Sequence, residues 1–128
     1  MNSIRTINEL LVRPLSVADR WCVHSYYTVS PYAPDGSGRV LMAGGNLETQ
    51  TGEVLIVSSG GRVLDRFGRA ALHSGYFHTG YWQTWSPDGK YVYYQSGSLD
   101  KPLIVRRELA SGEELVMEGD MGAEMRQG

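Results

Sequence analysis

The sequence predicts an all-β chain: about two four-stranded antiparallel sheets, arranged as blades of a β-propeller and forming a fragment of a larger ring. Three observations carry that expectation. Glycine is abundant, 16 of 128 residues, alongside eight Tyr and three Trp, a composition of strands and turns. A Pro-Asp-Gly corner occurs twice, at Pro34-Asp35-Gly36 and Pro87-Asp88-Gly89, with its aspartates 53 residues apart. Each corner is followed by the same order of strand, loop, strand, turn and strand. A period of roughly 40–50 residues with four strands per unit is a propeller signature.

The elements follow in order. Residues 1–22 form an N-terminal segment in which Ile4, Ile7, Leu10 and Leu11 allow a short helix ended by Pro14, or an outer strand. Residues 23–68 form the first blade. Its expected strands are His24–Val29, Arg39–Ala43, Glu53–Ser58 and Arg62–Phe67, with a loop over Gly44–Gly52. Residues 69–118 form the second, with strands at Phe77–Trp85, Lys90–Ser96, Pro102–Leu109 and Glu113–Glu118. Residues 119–128 read as a polar, unpaired tail.

The corner has a physical logic. Proline presets φ for the first central turn position, aspartate can accept from the backbone two residues on, and glycine takes the left-handed conformation that starts the next strand. Closed propellers need about four to eight blades, and 128 residues supply two and a fraction. The expectation is a piece of a longer ring, whose remaining blades come from a parent chain or from self-association.

Composition excludes several function classes. The formal net charge is -2, so nucleic-acid binding by phosphate neutralisation is not expected. No run of about 18 apolar residues occurs, so no membrane span is expected, and no leader is read at the start. The cytoplasm is the default compartment. The single cysteine, Cys22, excludes an internal disulfide and reads as packing.

Candidate chemistry is sparse. His24 and His78 precede their corner aspartates by 11 and 10 residues, so each opens the innermost strand of its blade, where side chains can face a channel. Neutral imidazole is a good ligand for divalent transition metals, and Gln83 could add an oxygen. The competing reading is that both histidines cap strand ends. His73 shares the connection with His78, in a loop that does not force a common site. Tyr26, Tyr27, Tyr76, Tyr81, Trp82 and Trp85 could form a sugar-stacking platform, with Tyr27 and Trp82 the leading ligand contacts. For Trp85 packing between blades is the stronger reading. Arg106 and Arg107 point to opposite faces of one strand, and Arg106 could pair with a ligand carboxylate.

"WSPDGKYVYY", Trp85–Tyr94, resembles the repeat of TolB-like propellers, relatives of the WD-repeat proteins. The match is looser at Ser30–Met42, where Ser37-Gly38 precedes the strand. The resemblance covers roughly residues 24–118 and implies a binding scaffold for a carbohydrate or protein partner at the channel mouth. "HSYYTVSPYAPDG" and "HTGYWQTWSPDG" are also similar to strand entries of oligogalacturonate lyases, propellers of the same repeat type. That resemblance implies an alternative: a metal-dependent lyase on acidic oligosaccharides, with a divalent metal such as manganese on His24, His78 and Gln83. No base is apparent for it.

Overall fold

In the computed structural model, residues 5–7, 10–12, 21–25, 29–71 and 79–122 are described. Every regular element among them is a strand. β1 (Arg5–Ile7) and β2 (Leu10–Val12) pair with each other as a small antiparallel hairpin. The short helix allowed for this segment is therefore absent among the described residues. Ile7 pairs with Leu10 across the two strands instead, which helical spacing alone does not distinguish.

The first large sheet holds β3 (Trp21–Val23), β4 (Val40–Asn46), β5 (Thr51–Val57) and β6 (Val63–Ala71), in that spatial order. The second holds β7 (Thr84–Trp85), β8 (Tyr91–Gly97), β9 (Pro102–Glu108) and β10 (Glu114–Glu118), again in chain order across the sheet. All neighbours run antiparallel. The chain is thus all-β, with two four-stranded antiparallel sheets built on one plan.

The innermost strands depart most from expectation. Pairing with β4 is seen at Trp21, Cys22 and Val23, opposite Gly45, Gly44 and Ala43, and Tyr26–Thr28 of the expected His24–Val29 strand lie outside the described residues. The chain rejoins the sheet at Tyr32, which bridges Val40. In the second sheet, among the described residues 79–85 of the expected Phe77–Trp85 strand, only Thr84 and Trp85 pair in register. Gly80 and Trp82 have φ of 58° and 55°, left-handed values that a continuous strand does not take. β4 also runs three residues beyond Ala43, so the loop shrinks to Leu47–Gln50. There the Asn46 side-chain oxygen accepts the N–H groups of Glu48 (2.9 Å) and Thr49 (3.2 Å).

The two sheets share one core. Leu41, Ala43, Val54, Ile56 and Phe67 of the first meet Tyr81, Trp85, Val92, Tyr94 and Val105 of the second. Burying each such side chain fully contributes roughly 1.5–3 kcal/mol. The opposite face of the first sheet carries its own cluster of Val40, Met42, Leu55 and Val57, with Cys22 packed against it. Cys22 is free and half-buried, as expected of packing. β5 is therefore buried on both faces, which explains its unbroken apolar run. The tail is not loose at its start: Gly119 donates its N–H to Pro102 O, and Met121 donates to the Gln95 side-chain oxygen (2.7 Å).

Candidate functional site

The two corners have the same architecture. In the first, Gly36 N–H reaches Ala33 O (3.5 Å) and Asp35 Oδ1 accepts from Ser37 N–H (2.9 Å). In the second, Gly89 N–H donates to Ser86 O (3.0 Å) and Asp88 Oδ1 accepts from Lys90 N–H (3.0 Å). Gly36 and Gly89 sit at φ of 75° and 73°, where an L side chain is strained. Hydrogen bonds from Ser37 hold the Asp35 carboxyl below its ordinary range, with Arg39 adding to them. Asp88 is lowered in the same way, first by the Ser86 side chain and then by Lys90 N–H.

The corners also touch. The direction in which Gly89 would carry a Cβ meets Pro34 Cγ at 3.3 Å. Trp85 Nε1 donates to Pro31 O at 2.9 Å, and the Arg39 guanidinium lies 5.2 Å from the Trp85 ring centroid. Trp85 accordingly serves inter-sheet packing.

At the other end of the inner strands the sequence-predicted residues converge in part. Trp82 N–H donates to Thr79 O (3.1 Å), closing a turn over 79–82. Gln83, 1% exposed, then stitches the two sheets: its Oε1 accepts Tyr81 N–H (2.9 Å) and its Nε2 donates to Val23 O (3.4 Å). That second bond brings Gln83 to the residue beside His24. The His24 Nδ1 and Ser25 Oγ atoms are buried without a hydrogen-bond partner. Gly122 packs on the Trp82 indole, at 3.0 Å from the position of a Cβ. Tyr81, in the same turn, has its hydroxyl pKa pushed up to about 12, mainly by burial and secondarily by the Glu53 carboxylate.

His24, Trp82 and Gln83 therefore belong to one end of the inter-sheet seam. Arg106 is placed elsewhere, on β9, with its guanidinium 4.6 Å from the Tyr91 ring centroid. His78 and Tyr27 lie outside the described residues, as do His73, Tyr26 and Tyr76. Ser25 enters the cluster without a ligand signal in the sequence, as a serine among turn residues, whereas Tyr81 is among the aromatics that could form a stacking platform.

Of the donor set His24, His78 and Gln83, His78 lies outside the described residues. No group of three His, Cys, Asp or Glu side chains comes together among the described residues, and both ends of the Gln83 amide are engaged by the backbone. A concavity of about 480 Å³ opens between β6 and β9–β10, where Arg66, Arg69, Arg107 and Glu114 reach its wall. Arg107 is already shared there between Glu114 Oε2 and Gly112 O, both at 3.3 Å. Comparison with protein families, with curated proteins and with solved structures gave no match.

Proposed function

We propose that the chain is a two-blade segment of a TolB-like β-propeller. It acts as a binding scaffold and presents the His24–Trp82 end of its inner strands to a carbohydrate or protein partner. One observation carries the reading: the order of faces. By the pairing just before each corner, Tyr32 opposite Val40 and Trp85 opposite Val92, Val40 and Met42 of β4 correspond to Val92 and Tyr94 of β8. Val92 and Tyr94 look toward the first sheet, against Leu41, Ala43, Val54 and Ile56. Val40 and Met42 look away from the second sheet, into a different cluster. The front of one sheet thus packs on the back of the one before it. A head-to-tail contact of this kind generates a ring or an open helix when repeated, and closure of blades into a ring removes the exposed ends.

The binding end is supported by the strained Trp82 backbone and by the unpartnered His24 and Ser25 atoms. Local strain and unsatisfied buried groups concentrate at ligand sites. Tryptophan fluorescence titrations of the chain against oligogalacturonate, neutral oligosaccharides and a peptide library test the proposal. Saturable binding that Trp82→Ala abolishes, without turnover, is the expected result. Ultraviolet absorbance of an unsaturated uronate product in the presence of manganese would replace the scaffold with a lyase. Saturable binding that Trp82→Ala and Ser25→Ala leave intact would reject this end as the site.

A further inference from the structure

We infer that the free edge of β10 is a strand-addition site for an extended peptide with cationic residues flanking an apolar centre. The inference is independent of the propeller reading, because it rests on the backbone of one strand.

Unpaired sheet edges invite strand pairing, and proteins normally blunt them. Three of the four large-sheet edges are blunted here. β3 and β7 are three and two residues long. β6 has register shifts at two places and carries Arg66 and Arg69. β10 differs. Its five-residue ladder to β9 is unbroken, and it has no second neighbour among the described strands. All five residues are exposed, including Leu115 at 50%, Val116 at 53% and Met117 at 39%.

The hydrogen-bond parity of that edge follows from two bonds. Glu108 N–H donates to Glu113 O (2.9 Å), and Gly119 N–H donates to Pro102 O (3.1 Å). Antiparallel pairs alternate between bonded and non-bonded. Residues 113, 115, 117 and 119 therefore turn their polar backbone groups inward to β9, in the observed register. Glu114, Val116 and Glu118 turn theirs outward. An added strand would meet three outward N–H and C=O pairs, the backbone basis of strand addition.

Charge selects the occupant. The run Glu113–Asp120 holds four carboxylates and no cation. Glu114 is shared with Arg107 and the Tyr94 hydroxyl, whereas Glu118 forms no ion pair among the described residues. Antiparallel pairing of two copies about Val116 would set Glu114 of one against Glu118 of the other, and like charges directly opposite are destabilising. A strand reading cation, spacer, apolar, spacer, cation instead places opposite charges at both ends and an aliphatic contact on Val116.

The test uses the full chain and a labelled synthetic peptide with Lys-Thr-Val-Thr-Lys at its centre. Fluorescence anisotropy and amide hydrogen exchange are the readouts. Binding should slow exchange at Glu114, Val116 and Glu118 and leave Leu115 and Met117, already bonded inward, unchanged. Val116→Pro deletes one outward N–H and no ladder bond, and should weaken binding about tenfold. Glu118→Lys should weaken it roughly fivefold and reverse the preference toward a Glu-flanked peptide. Undiminished binding by both variants would overturn the inference. So would protection confined to other strands, or self-association of the chain through β10 in place of peptide capture.

Discussion

Trp85→Phe measures how far the two sheets fold as one body. The indole N–H makes one of the inter-sheet bonds, to Pro31 O at 2.9 Å. Deleting it leaves no buried orphan, because Pro31 O also accepts Leu41 N–H at 2.8 Å. The lost bond therefore costs about 1 kcal/mol, the net value of an ordinary hydrogen bond. The smaller ring leaves a partial void in the shared core, worth about another 1 kcal/mol. The contact with Arg39 weakens by about 0.5 kcal/mol, since that cation is partly solvated. The sum is about 2–3 kcal/mol. With a urea slope of about 1–2 kcal/mol/M for a chain of this size, the midpoint should fall by roughly 1–3 M in a single transition. Tyr32 holds the matching place before the first corner but is 61% exposed, so Tyr32→Phe should change stability by less than about 0.5 kcal/mol. Unfolding followed by circular dichroism and by tryptophan fluorescence supplies the assay. Two separated transitions, with only one moved by Trp85→Phe, would refute the shared-core argument. So would equal losses in both variants.

Other consequences are open to the same measurement. Gly36→Ala and Gly89→Ala both force alanine to positive φ, at about 1–2 kcal/mol each. Gly89→Ala should cost more, because its new methyl meets Pro34 whereas Gly36 faces open space; equal losses would mean that the corners do not bear on each other. Gln83→Ala strands the Tyr81 N–H and the Val23 carbonyl in a dry seam and should destabilise by about 2–4 kcal/mol; a neutral result would free Gln83 for ligand duty. In alkali, the unfolded chain loses the Tyr81 proton near the ordinary 10.0, while the folded chain holds it to about 12. That stabilisation is complete below pH 10.0 and is lost as pH rises through about 12, and Tyr94, also raised by burial, acts in the same direction. In acid the two corner carboxylates act oppositely: their support is present above the ordinary 3.8 and is lost as pH falls through their lowered folded values. The acid limb of the urea midpoint should flatten in an Asp35→Asn, Asp88→Asn double variant.

The corners and the strand order are legible because their chemistry is local. Proline, aspartate and glycine act on backbone angles within four residues, and both copies adopt the expected turn. The inner strands are not legible in this way. Around His24–Val29, rich in strand-forming residues and described only at His24, Ser25 and Val29, β4 takes Trp21–Val23 as its partner at one end and the Tyr32 bridge at the other. Propensity reports fit to a half-buried surface, and only the neighbour decides which segment supplies it. Gly44 and Gly45 looked like a loop and instead continue β4, opposite Cys22 and Trp21. Of the candidate site, the sequence offers His24 and Gln83 as ligands, and the structure brings Gln83 to Val23, the residue beside His24. That the Gln83 amide is consumed by two backbone groups is not legible, because the bond to Val23 spans 60 residues.

The two sheets differ in what their faces can tolerate, and the strand patterns encode the difference. β5 is buried at six consecutive positions, Gly52–Val57, so neither face of the first sheet could stand bare without a large apolar loss. β8 alternates, burying Val92 and Tyr94 and leaving Tyr91, Tyr93 and Gln95 half-exposed on the far side. Those three are amphipathic, and they are already partly satisfied there. Arg106 lies over Tyr91, and the Gln95 amide donates to Leu103 O (2.7 Å) and Gly119 O (3.1 Å). A face of this composition can be wet at modest cost and can also be covered. In a ring built on the observed head-to-tail contact, the joint behind the second sheet would accordingly be held more weakly than the joint in front of it. The difference follows from which residues alternate, since both joints would use the same strand order.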